Sequence, residues 1–88
     1  MNHKHRKILH SLFSHPLPSN IHLHEVESVL REMGAELSHT GHGRLSVSFN
    51  GKAAQFHGSD HGLSKDEVSN MRKFIESCGI DPARDFPL

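Results

Sequence analysis

The sequence predicts a small α+β domain, with helices covering one face of a three-stranded antiparallel sheet. Three observations predict it. Asn50-Gly51 stands between two short segments, Leu45 to Phe49 and Lys52 to His57, whose apolar residues alternate with polar ones. Leu23, Val26, Leu30 and Met33 recur at steps of three and four. Ser64-Lys65-Asp66-Glu67 opens a later stretch of the same helical period with the spacing of a capping box.

Taken in order, residues 4–13 predict a short helix with Ile8, Leu9, Leu12 and Phe13 on one side. Pro16 and Pro18 end it and enforce an extended connection. Ser19 or Asn20 is placed to cap the next helix. Its stripe from Leu23 to Met33, widened by Val29, is that of an amphipathic helix with one buried face. Gly34 sits where a left-handed C-terminal cap belongs. A strand follows from Ala35 to His39, with Ala35 and Leu37 inward, and Thr40 to Gly43 is a Gly-rich turn.

Asn-Gly supplies the positive φ angles of a two-residue hairpin turn. Such a turn sets the register: Phe49 opposite Lys52, then Ser48–Ala53, Val47–Ala54, Ser46–Gln55, Leu45–Phe56 and Arg44–His57. Side chains alternate across a strand. Leu45, Val47, Ala54 and Phe56 therefore form the core face. Arg44, Ser46, Ser48, Gln55 and His57 form the other, joined by His42 if the strand reaches back that far. Gly58 to Gly62 is a loop. Val68, Met71, Phe74, Ile75 and Cys78 mark the last helix, which Gly79 and Asp81-Pro82 close. Ala83 to Leu88 reads as a loosely packed tail. The chain thus divides into an N-terminal arm with its Pro linker (1–20), a domain (21–80) and a tail (81–88).

The composition bounds the function. Eighty-eight residues bury one modest core. No apolar run approaches the roughly 20 residues of a membrane span, and the His-rich, charged N-terminus lacks the apolar centre of a signal peptide. The single cysteine, Cys78, rules out an intramolecular disulfide and suits a reducing cytoplasm. It falls on the apolar stripe, where a small buried hydrophobe is favoured over a reactive thiol. Formal charge is zero, but residues 1–24 hold Lys4, Arg6, Lys7 and six of the ten histidines with no acid. A basic arm suits nucleic acid or an acidic partner, although a solvated terminal segment has the same composition.

Histidines invite a metal reading. His22 and His24 are two apart, which splits them around a helix. His57 and His61 are four apart, but Gly58 and Gly62 argue against the helix that would align them. No Cys pair and no His-Glu-x-x-His pattern occurs. No metal or other cofactor is expected.

The α-β-β-β-α order is that of double-stranded-RNA-binding-domain-like folds. Within it, residues 21–80 resemble the HicA (YcfA-like) toxins of bacterial toxin–antitoxin systems. The resemblance rests on the helix end Met33-Gly34-Ala35-Glu36, the turn Gly41-His42-Gly43, the Asn50-Gly51 hairpin, the strand end Phe56-His57 and the capped helix closing at Cys78-Gly79-Ile80. The N-terminal Asn2 to Lys7 looks like that of a longer branch of the family. The resemblance implies a cytoplasmic endoribonuclease that cleaves mRNA without a metal and is neutralised by a HicB-type antitoxin. It would act as a monomer or within a toxin–antitoxin hetero-oligomer, with no membrane partner. The family motif is Gly-Ser-His at the entry to the second strand. Here Gly43 occupies the aligned position and His42 stands one place early. Either His42 takes that role through the freedom of its flanking glycines, or the site is rebuilt around His57, or turnover is lost and a binding module remains.

Metal-free RNA cleavage needs a base near the 2′-hydroxyl, an acid near the leaving 5′-oxygen and positive charge on the transition state. Histidine suits both proton roles at neutral pH, and the planar fork of arginine matches two phosphate oxygens. The candidate catalytic residues are His42 as general base, His57 as general acid or phosphate ligand, with these roles exchangeable, and Arg44 as electrostatic clamp. Ser46, Ser48 and Gln55 are candidate RNA contacts on the same face. His61 and Lys65, beside a helix N-terminus that attracts anions, are candidate phosphate contacts with Ser64. The competing readings are polar residues on a wet sheet, a non-catalytic RNA- or antitoxin-binding module, and an adaptor without a nucleic-acid role. The polar face carries no aromatic, which excludes a base-stacking platform of the RRM type.

Overall fold

A computed structural model describes residues 1–16, 18, 21–41, 43–57 and 62–88. Seven elements follow in the order α1 (His3–Ser11), α2 (Leu23–Met33), β1 (Glu36–His39), β2 (Arg44–Phe49), β3 (Lys52–His57), α3 (Lys65–Ser77) and α4 (Pro82–Asp85). The strands form one antiparallel sheet in the order β1-β2-β3.

Each helix has a local cause. The Asn2 side chain accepts from the His5 N–H at 2.8 Å and starts α1. The position before α2 is His22, which makes no side-chain cap bond; Ser19 and Asn20 lie outside the described residues. Gly34 ends α2 at φ 101°, a left-handed conformation that costs glycine little. Ser64 accepts from the Glu67 N–H at 3.1 Å, which is half of the expected capping box. The tail contains a feature the sequence reading left out. Asp81 caps α4 through the Ala83 N–H at 3.1 Å, Pro82 is buried at its first position, and Phe86 packs half-buried against the core. The His10 imidazole bonds the Phe86 carbonyl oxygen at 2.7 Å and ties this end to α1.

The hairpin register is the one the Asn50-Gly51 turn predicts, from Phe49 opposite Lys52 to Arg44 opposite His57. Leu45, Val47 and Phe56 are buried and Ala54 is half-buried. Leu37 pairs with Val47 and joins their face. Against this face sit Val26, Val29 and Leu30 of α2 and Val68, Met71 and Ile75 of α3, all fully buried. Phe56 meets Phe74 edge-on, with ring centroids 5.7 Å apart. Ile8, Leu9 and Leu12 extend the same core, so α1 shares the hydrophobic stabilisation of the domain. Between the sheet and α3, the Leu63 N–H bonds the Ile21 carbonyl oxygen at 2.8 Å and holds the two helix approaches side by side. No helix among the described residues is long and apolar enough to cross a membrane.

Among the described residues, one charged residue enters the core. Glu27, on α2, is only 8 % exposed. Its Oε1 lies 2.7 Å from His39 Nε2 at the end of β1, a close carboxylate–imidazole contact without the alignment of a hydrogen bond. A buried carboxylate needs such a partner, because desolvation alone strongly disfavours its charge.

Candidate nucleic-acid interface

All the helices that cover the sheet lie against its Leu45–Phe56 side. Among the described residues no helix covers the other side, and alternation places three rows of residues on it. Arg44 and His57 make the first row, Ser38, Ser46 and Gln55 the second, Glu36, Ser48 and Ala53 the third. Neighbouring rows are about 7 Å apart, twice the rise per strand residue.

The first row is built by a turn and a helix. Gly41 and Gly43 take φ angles of 86° and 74°, which closes the short β1–β2 connection. The Arg44 N–H bonds the Gly41 carbonyl oxygen at 3.0 Å, and the Thr40 N–H bonds the Arg44 carbonyl oxygen at 3.2 Å. Arg44 therefore enters β2 with its backbone held, and its side chain is exposed. His57, directly opposite and also exposed, ends β3. Its backbone N–H donates to Glu67 Oε2 at 3.3 Å. The capping-box pattern predicts that Glu67 turns back on its own helix start; instead its carboxylate reaches across to the end of β3. Arg44, Gln55, Phe56, His57 and Glu67 enclose a shallow hollow of about 170 Å³.

This corner offers one fixed cation, one imidazole, an amide and a carboxylate within a single depression. A phosphodiester fits the guanidinium, and the imidazole can exchange a proton with a group bound beside it. Of the candidates read from the sequence, the structure brings Arg44 and His57 together and puts Gln55 in the same hollow. Ser46 lies beside Gln55 in the second row, and Ser48 is one row further off. Lys65, exposed on the first turn of α3, is not part of the hollow's wall. His42 and His61 lie outside the described residues.

Sequence reasoning passed over Glu67 as a site residue because its position already had a capping explanation. It also passed over Glu36, Ser38 and Ala53. Their alternation with Leu37 and Ala54 is visible in the sequence, but their place depends on how β1 registers against β2. The histidine pair at the start of α2 also differs from expectation. His22 precedes the helix with an extended backbone, so its ring is not rotated away from His24; the two rings stack with centroids 5.6 Å apart. Among the described residues, no three His, Cys, Asp or Glu side chains converge as a metal-binding group.

Comparison with other proteins adds no constraint: no protein-family model, no curated protein and no solved structure matches the chain.

Proposed function

We propose that this protein is a HicA-like toxin, an endoribonuclease that cleaves mRNA without a metal and is neutralised by a HicB-type antitoxin in the cytoplasm. The observation that carries the reading is the pairing of Arg44 with His57 across β2 and β3 on the open face. Arg44 clamps the scissile phosphate and offsets the charge that grows on it. His57 moves a proton to or from the 2′-hydroxyl or the leaving oxygen. His42, two positions before Arg44 in the sequence, supplies the second proton-transfer group in this reading. Gln55 and Ser46 contact the strand on the same face.

The test is inducible expression in a bacterial host, with growth and total mRNA integrity followed together. Wild type arrests growth and loses mRNA. His57→Ala, His42→Ala and Arg44→Ala restore both at equal levels of folded protein. Normal growth with intact mRNA, at confirmed soluble expression, would leave a binding module on the same scaffold.

A further inference from the structure

The open sheet face holds a second and larger depression. It has a volume of about 370 Å³ and occupies the second and third rows, between Glu36 and Ser38 on β1 and Ala53 and Gln55 on β3. Its depth has a simple origin. The middle strand contributes only the hydroxymethyl groups of Ser46 and Ser48, so the floor is low. Gln55 and Glu36 are longer and stand at its margins. Gln55 also lines the Arg44–His57 hollow, so the two depressions share a wall.

We propose that this larger depression is the seat of one unpaired nucleobase, and that Glu36 selects bases carrying an exocyclic amino group. The inference rests on the endoribonuclease reading above, and it names the part of the substrate that lies beside the phosphate. A phosphate held by Arg44 leaves its nucleoside one row away, over Ser38, Ser46 and Gln55. A flat base can approach a floor of serines and one alanine closely. A base still paired in a duplex presents only its edges, so the strand is single. The Glu36 carboxylate is exposed and forms no ion pair with another described residue. An ionised carboxylate only accepts hydrogen bonds. It therefore bonds the amino group of adenine, cytosine or guanine, as Glu and Asp do with cytosine N4. Uracil offers a carbonyl oxygen in place of the amine; its one donor on that edge, the ring N3–H, is flanked by two carbonyl oxygens that repel the carboxylate, so it binds Glu36 less well. The serine hydroxyls and the Gln55 amide both donate and accept, so they hold any base without choosing among them.

The experiment measures binding of the full chain to fluorescent single-stranded oligomers of A, C or U at low salt. The oligomers are 2′-O-methylated, so that no nucleophilic 2′-hydroxyl is present and binding is read apart from cleavage. The expected result is about tenfold tighter binding of the A and C oligomers than of U. Glu36→Gln, whose amide can also donate, reduces this difference below about threefold by strengthening U binding. Ser48→Leu, which fills the floor, weakens all three oligomers while far-UV circular dichroism stays unchanged. Equal wild-type affinity for A, C and U, lost on Arg44→Ala, would overturn the base seat while sparing the phosphate site. A wild-type preference that Glu36→Gln leaves intact would overturn the role of Glu36. Absence of binding to every oligomer would overturn both this inference and the nuclease reading beneath it.

Discussion

The side-chain amide of Asn50 donates to the Cys78 carbonyl oxygen at 2.9 Å, so the hairpin turn is tied to the C-terminal end of α3. Asn50 thus has two jobs. It accepts a φ of 52°, unusual for a residue with a side chain, and it satisfies a carbonyl that the helix end leaves unpaired. The Cys78 thiol completes the contact from the other side, 3.5 Å from the Phe49 carbonyl oxygen.

Replacing Asn50 separates these jobs. Asn50→Gly keeps the turn and loses the bond, at a cost of about 1 kcal/mol. Asn50→Ala loses the bond and strains the turn, for about 2–3 kcal/mol in all. Urea denaturation of the two variants beside wild type measures the difference. Equal stabilities of Gly and Ala variants would show that the turn conformation carries no strain.

The Glu27–His39 contact leads to a second expectation. His39→Ala leaves a buried carboxylate without its imidazole partner and destabilises the fold. The imidazole is 60 % exposed on its side chain, so solvent weakens the pair, and the loss is about 1–2 kcal/mol rather than that of a fully buried pair. Glu27→Gln removes the buried charge, so the double variant loses less than the sum of the single changes. A double-mutant cycle by thermal or chemical unfolding reads this coupling. Strict additivity would mean that the two side chains do not interact in solution.

Leu9→Ala tests the place of α1. Leu9 is fully buried, and its truncation removes apolar area and leaves a cavity. We expect a loss of about 2–5 kcal/mol in a single cooperative transition that α1 and the sheet share. A separate, unaffected transition for the rest of the chain would show that α1 folds apart from the core.

At the Arg44–His57 pair the expectation concerns rate and not stability. On the proposed endoribonuclease function, His57→Ala lowers RNA cleavage by about 10²–10⁴-fold. Arg44→Lys keeps the charge but loses the planar fork, so it retains more activity than Arg44→Ala and less than wild type. Both side chains are exposed, and the melting temperature of each variant stays close to that of wild type. Single-turnover cleavage of a short RNA, with calorimetry on the same samples, tests both halves. Activity loss accompanied by unfolding would remove the catalytic interpretation.

The Asp85 carboxylate gives a pH dependence. Hydrogen bonds from the Arg84 side chain and from the Asp81 backbone N–H hold its pKa down at about 2, against an ordinary value of 3.8. The folded state binds this proton less readily than the unfolded state. Its contribution to stability is therefore complete above about pH 4 and fades as pH falls toward 2. Asp85→Asn is less stable than wild type at neutral pH, and the gap closes as acid is added through that window. Chemical unfolding at pH 7, 4, 3 and 2 follows it; a constant gap would sever the link to this carboxylate.

Much of the fold was legible in the sequence because its signals are local. A helical stripe needs only the spacing of Leu23 to Met33, and an Asn-Gly turn sets the register of two strands without reference to anything else. These determined the three main helices, the hairpin and the face on which Arg44, Ser46, Ser48, Gln55 and His57 lie. Contacts between segments distant in the chain required the tertiary structure. Glu67 has a sufficient local role as a helix cap, and nothing near it in sequence says that its carboxylate meets the end of β3. The register of β1 depends on the path of a four-residue connection, so the rows that place Glu36 and Ser38 beside Gln55 appear only once the sheet is assembled. The last residues form a helical turn because Pro82 and Phe86 find apolar neighbours and His10 finds the Phe86 carbonyl oxygen. Short-range propensity decided the elements; burial and hydrogen bonding between distant segments decided which of their side chains meet.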